Sequence, residues 1–403
     1  MSTQSIKLLH ARSRRLAYGV ACVGVTVVAS CGGSGSDPGS LRLALTDAPA
    51  CGYAQVNVTV QKVRVHQSSS AGENEAGWAE IVIPQPQRID LLALNNGVLA
   101  ELGQTSLAPG RYAQLRLVLA PNGNSAPFAN SVVPIGGSEV ALDTPSGSQS
   151  GLKLNIGIEV ASNQRADAVL DFDACLSIVK RGGSGRYNLK PVMSVLPRSE
   201  TGLRVEGFVT SGFASGGASV SAQKDGVIVR ATHPGANGRF VLFPVPAGTY
   251  DLVVNVSGFA TATITGVPSV NNGLTAVNVE AGAIGGPAAV VPSSAMTAVT
   301  GTVATGAAPI EALVQARKAY TGGPTVVVAI SSADGDSGAY SLSLPRAAPV
   351  RAAYADAAAS ITFAAGAPAD IYELSATAVG VTKTAPPIDL GSLPPGGTNF
   401  VFP

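Results

Sequence analysis

The chain of 403 residues contains one tryptophan, three histidines and three methionines, and only 13% of its residues are charged. So few histidines argue against a histidine-based metal centre: His66 and His233 lie far apart in sequence, without the spacing of a ligand set. With 26 Lys and Arg against 25 Asp and Glu, the net charge of +1 leaves no electrostatic footprint for nucleic acid. The sequence has no Gly-x-Ser-x-Gly elbow, His-Glu-x-x-His run or phosphate loop, so no catalytic residue, cofactor or metal site is assigned. What the chain has is 47 glycines, 27 prolines and 46% hydrophobic residues. Such dense turn punctuation among apolar runs predicts an all-β protein and rules out general disorder. Its length suits two or three domains at about 100–200 residues each.

Lys7, Arg12, Arg14 and Arg15 precede an apolar stretch from Leu16 to Ala29. At about 14 residues the stretch has the length of a signal-peptide core and is too short to cross a bilayer. It closes on Val28-Ala29-Ser30-Cys31, which resembles a bacterial lipobox. The small residues suit a peptidase site, and the Cys31 thiol is the nucleophile that would take the lipid. The expectation is therefore a signal over residues 1–30 and a lipidated tether over 31–40, flexible through Gly32-Gly33-Ser34-Gly35-Ser36. Gly32 follows the cysteine where aspartate would signal inner-membrane retention, so resemblance to sorted lipoproteins implies the outer membrane. Cys22 would leave with the signal, and Cys51 and Cys175 would remain as a disulfide pair in an oxidising compartment. Closing so long a loop would contribute about 4–5 kcal/mol in the chain-entropy picture.

From Leu41 onward, apolar and polar residues alternate in short runs such as Leu41–Leu45, Val56–Val60, Leu115–Leu119 and Leu152–Ile158, as half-buried strands do. A bulge is expected near Gln61-Lys62, and Ile89–Leu94 is open between a helix and a strand. Ordered motifs cross this region: Leu45-Thr46-Asp47-Ala48-Pro49, Gly77-Trp78, Pro109-Gly110-Arg111-Tyr112, Thr144-Pro145-Ser146-Gly147, Leu170-Asp171-Phe172-Asp173 and Leu189-Lys190-Pro191-Val192. Together they resemble the bacterial lipoprotein domain family of unknown function DUF4382, over residues 41–198. The resemblance implies export and a β-architecture but carries no known reaction. Asp171 and Asp173 flank Phe172, so on a continuous strand both carboxylates would share one face. That pairing suits a cation site or an acid–base couple. The competing reading is a solvated face, or pairing with Lys153, Lys180, Arg181 or Lys190 of the same domain. Ser146 is explained by a turn, with no histidine beside it.

Beyond Pro197 two segments begin alike, Val205-Glu206-Gly207-Phe208-Val209 and Val299-Thr300-Gly301-Thr302-Val303. Fifteen residues after each opening valine comes Val220-Ser221-Ala222 or Val314-Gln315-Ala316, and then Gly238-Arg239-Phe240 or Gly338-Ala339-Tyr340. Equal spacing of matching types predicts a repeat. With Val245-Pro246-Ala247-Gly248-Thr249-Tyr250, residues 203–282 resemble the carboxypeptidase regulatory-like, transthyretin-like β-sandwich. Residues 297–403 are expected to form a divergent second copy, with an Ala-rich stretch from Arg351 to Ala365 departing from the pattern. Residues 281–294 read as a linker. The fold expected is thus an N-terminal β-domain followed by tandem transthyretin/Ig-like sandwiches. Asp334-Gly335-Asp336-Ser337-Gly338 offers Asp334 and Asp336 as calcium contacts, although the same residues make a good hairpin turn.

These readings point to a non-catalytic, lipid-anchored cell-envelope protein with a binding or structural role. The partners expected are the membrane, through the lipid, and a glycan, peptidoglycan or an envelope protein. Carbohydrate or peptidoglycan binding through the sandwich is the alternative, and an envelope hydrolase stands behind it.

Overall fold

Alternation along the strands sorts the side chains into a buried and an exposed face, and this sorting builds the protein. The computed structural model describes residues 37–47, 53–145, 147–197, 203–270, 273–306, 308–355 and 361–403, without the side chains of Cys175 and Pro197. In the strand Gly39–Asp47, Leu41, Leu43 and Leu45 are fully buried. Each contributes about 2 kcal/mol by leaving water. This strand pairs in parallel with Arg165–Phe172 and antiparallel with Ala100–Leu107. Met193–Pro197 completes a four-stranded sheet. The other sheet of this region is centred on the 14-residue strand Tyr53–His66, flanked by Gly110–Leu119 and Ser131–Pro134. The two sheets enclose the first hydrophobic core. Register shifts between Val60 and Lys62, as expected of the bulge there. At Ile89–Leu94 both alternatives occur in succession: a strand Arg88–Asp90, then a single 3-10 turn Leu91–Ala93 capped by the Asp90 carboxylate.

A second core lies between a three-stranded and a six-stranded sheet, and a third between a three-stranded and a five-stranded sheet. In the second, Arg204–Phe208 pairs with Arg239–Leu242 and Leu274–Ala276. In the third, Met296–Ala304 pairs with Ala339–Pro345 and Phe400–Val401. The repeat read from spacing is present in the backbone. Gly238 and Gly338 have φ of +80° and +69°, and a Cβ on either would come within 2.0 Å of a carbonyl oxygen, that of Val209 or Val303. Those carbonyls belong to residues whose amides bond back to the same glycines, Val209 to Gly238 and Val303 to Gly338. Only glycine fits so close a turn.

Two expectations need correcting. Residues 281–294 are not a free linker, because Ile284, Ala289 and Val291 are buried in the second core, and Ile284 and Ser293 bridge to Val209 and Phe259. The segment carries enough apolar surface to be held down. The Ala-rich stretch also leaves the third core. Val350–Ala353 pairs in parallel with Ala262–Ser269, and Ala364–Ala365 pairs with it in turn, so the third region lends two strands to the sheet of the second. Val350, Ala352 and Ile361 enter the second core. Residues 37–403 accordingly form one compact unit. Among the described residues no helix is long and apolar enough to cross a membrane.

Candidate functional site

The three cores meet along seams built from polar residues, and a cleft opens where the seams converge. Between the first and second cores stands Arg230, whose side chain is 2% exposed. A buried guanidinium requires partners. It donates to the Asp171 carboxylate, to Thr46 Oγ1 at 2.7 Å and to the Asp47 carbonyl at 3.2 Å. Asn96 adds a second link: with φ of +54° its backbone N–H donates to Thr232 Oγ1 at 2.7 Å, while its Oδ1 accepts from Val241 N–H at 2.6 Å.

Between the first and third cores, the turn after Val179 docks on the loop Asp334–Gly338. Asp334 Oδ2 accepts from Gly182 N–H at 2.7 Å, Asp336 Oδ1 from Arg181 Nε at 2.8 Å, and the Lys180 carbonyl from Gly335 N–H at 2.8 Å. Burial acts to raise the Asp334 carboxyl, but the N–H groups of Ser337, Gly182 and Asp336 and the Ser337 hydroxyl hold it below the usual carboxylate range. Lys190 Nζ reaches the Glu311 carbonyl at 3.0 Å.

The second and third cores are joined by an exchange. Gln223, 1% exposed, donates to the Val327 carbonyl at 2.9 Å and accepts from its amide at 2.8 Å. Arg317 donates to the Gly226 carbonyl at 2.7 Å. Tyr320 shares a hydrogen bond of 2.7 Å with Thr263, and burial pushes its hydroxyl up to about 12. Val253, Tyr320 and Val326 make a small apolar cluster across this seam.

The resulting cleft has a volume of about 680 Å³. Ser219, Ser221 and Asn255 of the second region form one side, residues 327–334 another, and Tyr53, Leu176 and Lys180 of the first a third. A second cleft of about 420 Å³, lined by residues 226–231 on one side and Gln315, Arg317 and Thr377 on the other, shares Asp173, Leu176, Ile228, Ala231, Val327 and Ile330 with it. A mixed apolar and hydroxyl lining can hold an extended ligand, since apolar surface supplies affinity and a few polar groups fix orientation.

The strand expected to carry both Asp171 and Asp173 ends at Phe172. Asp173 instead caps the short helix Ala174–Ser177, accepting from Leu176 N–H at 2.9 Å. Both carboxylates nonetheless line the second cleft. Asp171 is paired, but not with Lys153, Lys180, Arg181 or Lys190, because strand Val227–Thr232 of the second region brings Arg230 to it. Asp334 and Asp336 sit in the docking loop already described. Among the described residues no group of three or more His, Cys, Asp or Glu is placed to hold a metal. Cys31, Cys51 and Ser146 lie outside the described residues, as does the side chain of Cys175, so lipidation and the disulfide remain expectations. Trp78 lies against the guanidinium groups of Arg64 and Arg116, 4.6 and 5.2 Å from its ring centre.

Asp47, placed before Ala48-Pro49 where a carboxylate is expected to cap backbone amides at a strand end, does so at the end of Gly39–Asp47. It is fully buried; Oδ1 accepts from Ala174 N–H at 2.7 Å, while Oδ2 has no hydrogen-bond partner among the described residues. Burial, opposed by the Ala174 N–H and reinforced by Asp173 and Asp171, pushes its carboxyl well above the usual range despite Arg230 nearby. Sequence reading missed Arg230, Gln223, Arg317 and Asn96. A signal existed for Arg230, a lone charge in the apolar run Val227-Ile228-Val229-Arg230-Ala231.

Residues 38–191 match the family described as Domain of unknown function (DUF4382). None of the curated proteins compared matches the chain. Among solved structures, the Bacillus anthracis TIE protein is 11% identical with a TM-score of 0.17, over 91% of this chain and 50% of its own. The chain thus spans half the length of that protein. The pilus adhesin SpaC from Lactobacillus rhamnosus GG is 8% identical with a TM-score of 0.14, over 90% of this chain and 41% of its own. BcpA, the major pilin subunit of Bacillus cereus, is 10% identical with a TM-score of 0.14, over 91% and 99%. At such scores these likenesses carry no functional weight.

Proposed function

We propose that the chain is a non-catalytic, lipid-anchored protein of the bacterial envelope, and that the cleft between its three cores is a binding site. The observation that carries this reading is the use made of the carboxylates. Asp171 receives Arg230, Asp173 caps a helix, and Asp334 and Asp336 receive the turn at Arg181–Ser184. Three of these carboxylates fasten the cores around a shared cleft, and the fourth caps a helix at its wall. The lipobox-like residues before Cys31 supply the address, and the glycine–serine stretch supplies a tether that would hold the cleft off the membrane.

Carbohydrate or peptidoglycan binding is the second reading, favoured by Tyr53, Asn255 and the serine hydroxyls on the cleft wall. Trp78 supports it less, because two guanidinium groups already lie against its ring.

The test is a binding screen of the full chain in detergent against glycans, muropeptides and peptides, beside a Ser219→Trp variant that fills the cleft. Saturable binding lost in that variant is expected. Binding that survives Ser219→Trp, or turnover of an envelope polymer abolished by Asp171→Ala, would overturn the proposal.

A further inference from the structure

We infer that the cleft takes an extended peptide with an acidic group near one end, which adds as a strand to the open edge of Thr325–Ser332. This rests on reading the cleft as a binding site and names the class of ligand it holds.

Thr325–Ser332 is the outermost strand of its sheet and pairs with Ala312–Ala319 alone. Eight consecutive residues, 327–334, line the cleft. Alternate side chains of a strand point to opposite faces, so an unbroken run can line a cavity only where the strand's edge turns toward it. An edge carries a row of N–H and C=O groups, and the ligand that satisfies such a row is another backbone. Gln223 demonstrates the geometry at one end, where its amide takes both the N–H and the C=O of Val327, as a neighbouring strand would. Beyond it, among the described residues, no backbone outside Ala312–Ala319 pairs with Val328–Ser332.

Proteins guard exposed edges with charge or proline. Among the other edge strands, Leu152–Val160 and Val381–Thr384 carry Lys153 and Lys383. Thr-Val-Val-Val-Ala-Ile-Ser-Ser carries neither charge nor proline. Its free stretch of five residues runs for about 17 Å, and a cleft of about 680 Å³ lies within the range of ligand sites. Charge gives the stretch a direction. Lys180 is exposed at the cleft, and among the described residues its ammonium joins no ion pair, whereas the carboxylates lining the cleft are engaged, Asp173 by Leu176 N–H and Asp334 by Gly182 and Ser337. A carboxylate on the peptide complements it.

The experiment is a display library of random eight-residue peptides selected on the full chain in detergent, followed by synthesis and N-methylation of the enriched sequence at each position in turn. Strand addition predicts that N-methylation at alternate positions weakens binding at least tenfold, while the intervening positions change it less than twofold. Lys180→Glu is expected to weaken binding tenfold, and replacing the peptide's acid by lysine to restore it. A uniform N-methylation profile, or equal enrichment on the Ser219→Trp variant, overturns the inference. If no peptide is enriched but a glycan binds and is blocked by Ser219→Trp, strand addition fails while the cleft stands. If nothing binds there, both fail.

Discussion

Gln223 and Arg317 stand at equivalent places in the two repeats, each eighteen residues after its opening valine, and each bonds the backbone of the other repeat. Gln223 reaches Val327 and Arg317 reaches Gly226. The register shift beside each is also equivalent, between Ala222 and Gln223 and between Ala316 and Arg317. Each sandwich therefore reaches the backbone of the other from the same strand position.

Removing Gln223 should loosen this seam. Gln223→Ala leaves the N–H and C=O of Val327 without their partner in a buried setting. Each unmet group costs about 1–3 kcal/mol. Denaturant unfolding of the full chain is expected to show a loss of about 2–4 kcal/mol, with Gln223→Glu recovering only the contact to the Val327 N–H. A loss below about 0.5 kcal/mol would show that water replaces the amide.

Arg230 should matter more than an ordinary surface cation. Truncating it to alanine strands Asp171 in a nearly closed seam, at a cost of about 3–5 kcal/mol. The double variant Arg230→Met with Asp171→Asn removes both charges and should recover more than half of that loss. A double-mutant cycle with a coupling near zero would mean that the pair does not bind the first two cores together.

Much of this architecture was legible because it is local. The period of two located strands such as Leu41–Leu45 and Leu115–Leu119, and the glycines at 238 and 338 marked turns where no Cβ fits. The seams were not legible, because nothing near Asp171 in sequence announces Arg230, fifty-nine residues away. Nor does an alanine-rich run reveal which sheet it will join, since Val350–Ala353 suits either neighbour by propensity. Contacts between surfaces already folded leave little periodic trace.

The acidic loop gives a prediction about metal. Asp334 Oδ1 accepts from Asp336 N–H, Ser337 N–H and the Ser337 hydroxyl, and Asp336 is paired with Arg181. Calcium would have to displace those donors. Millimolar calcium is expected to leave the thermal midpoint unchanged within about 1 °C. A saturable rise, lost in Asp334→Asn, would restore these residues as a cation site.

Lys318 sets a pH dependence. It is 1% exposed, donates to the Ile371 carbonyl at 2.7 Å and lies 4.3 Å from the centre of the Tyr372 ring. Burial, only partly offset by Asp370, lowers its ammonium to about 8. In the unfolded chain it titrates near about 10.4, so between these values the unfolded state holds more protons and stability rises with pH. The gain from pH 8 to about 9.5 should reach about 1–2 kcal/mol. Above that, ionisation of tyrosines in the unfolded chain opposes it, since burial raises Tyr320 and Tyr372 in the fold. Urea unfolding across this window should show the rise in the natural chain and a flat profile in Lys318→Met. A rise that persists in Lys318→Met would assign it to another group.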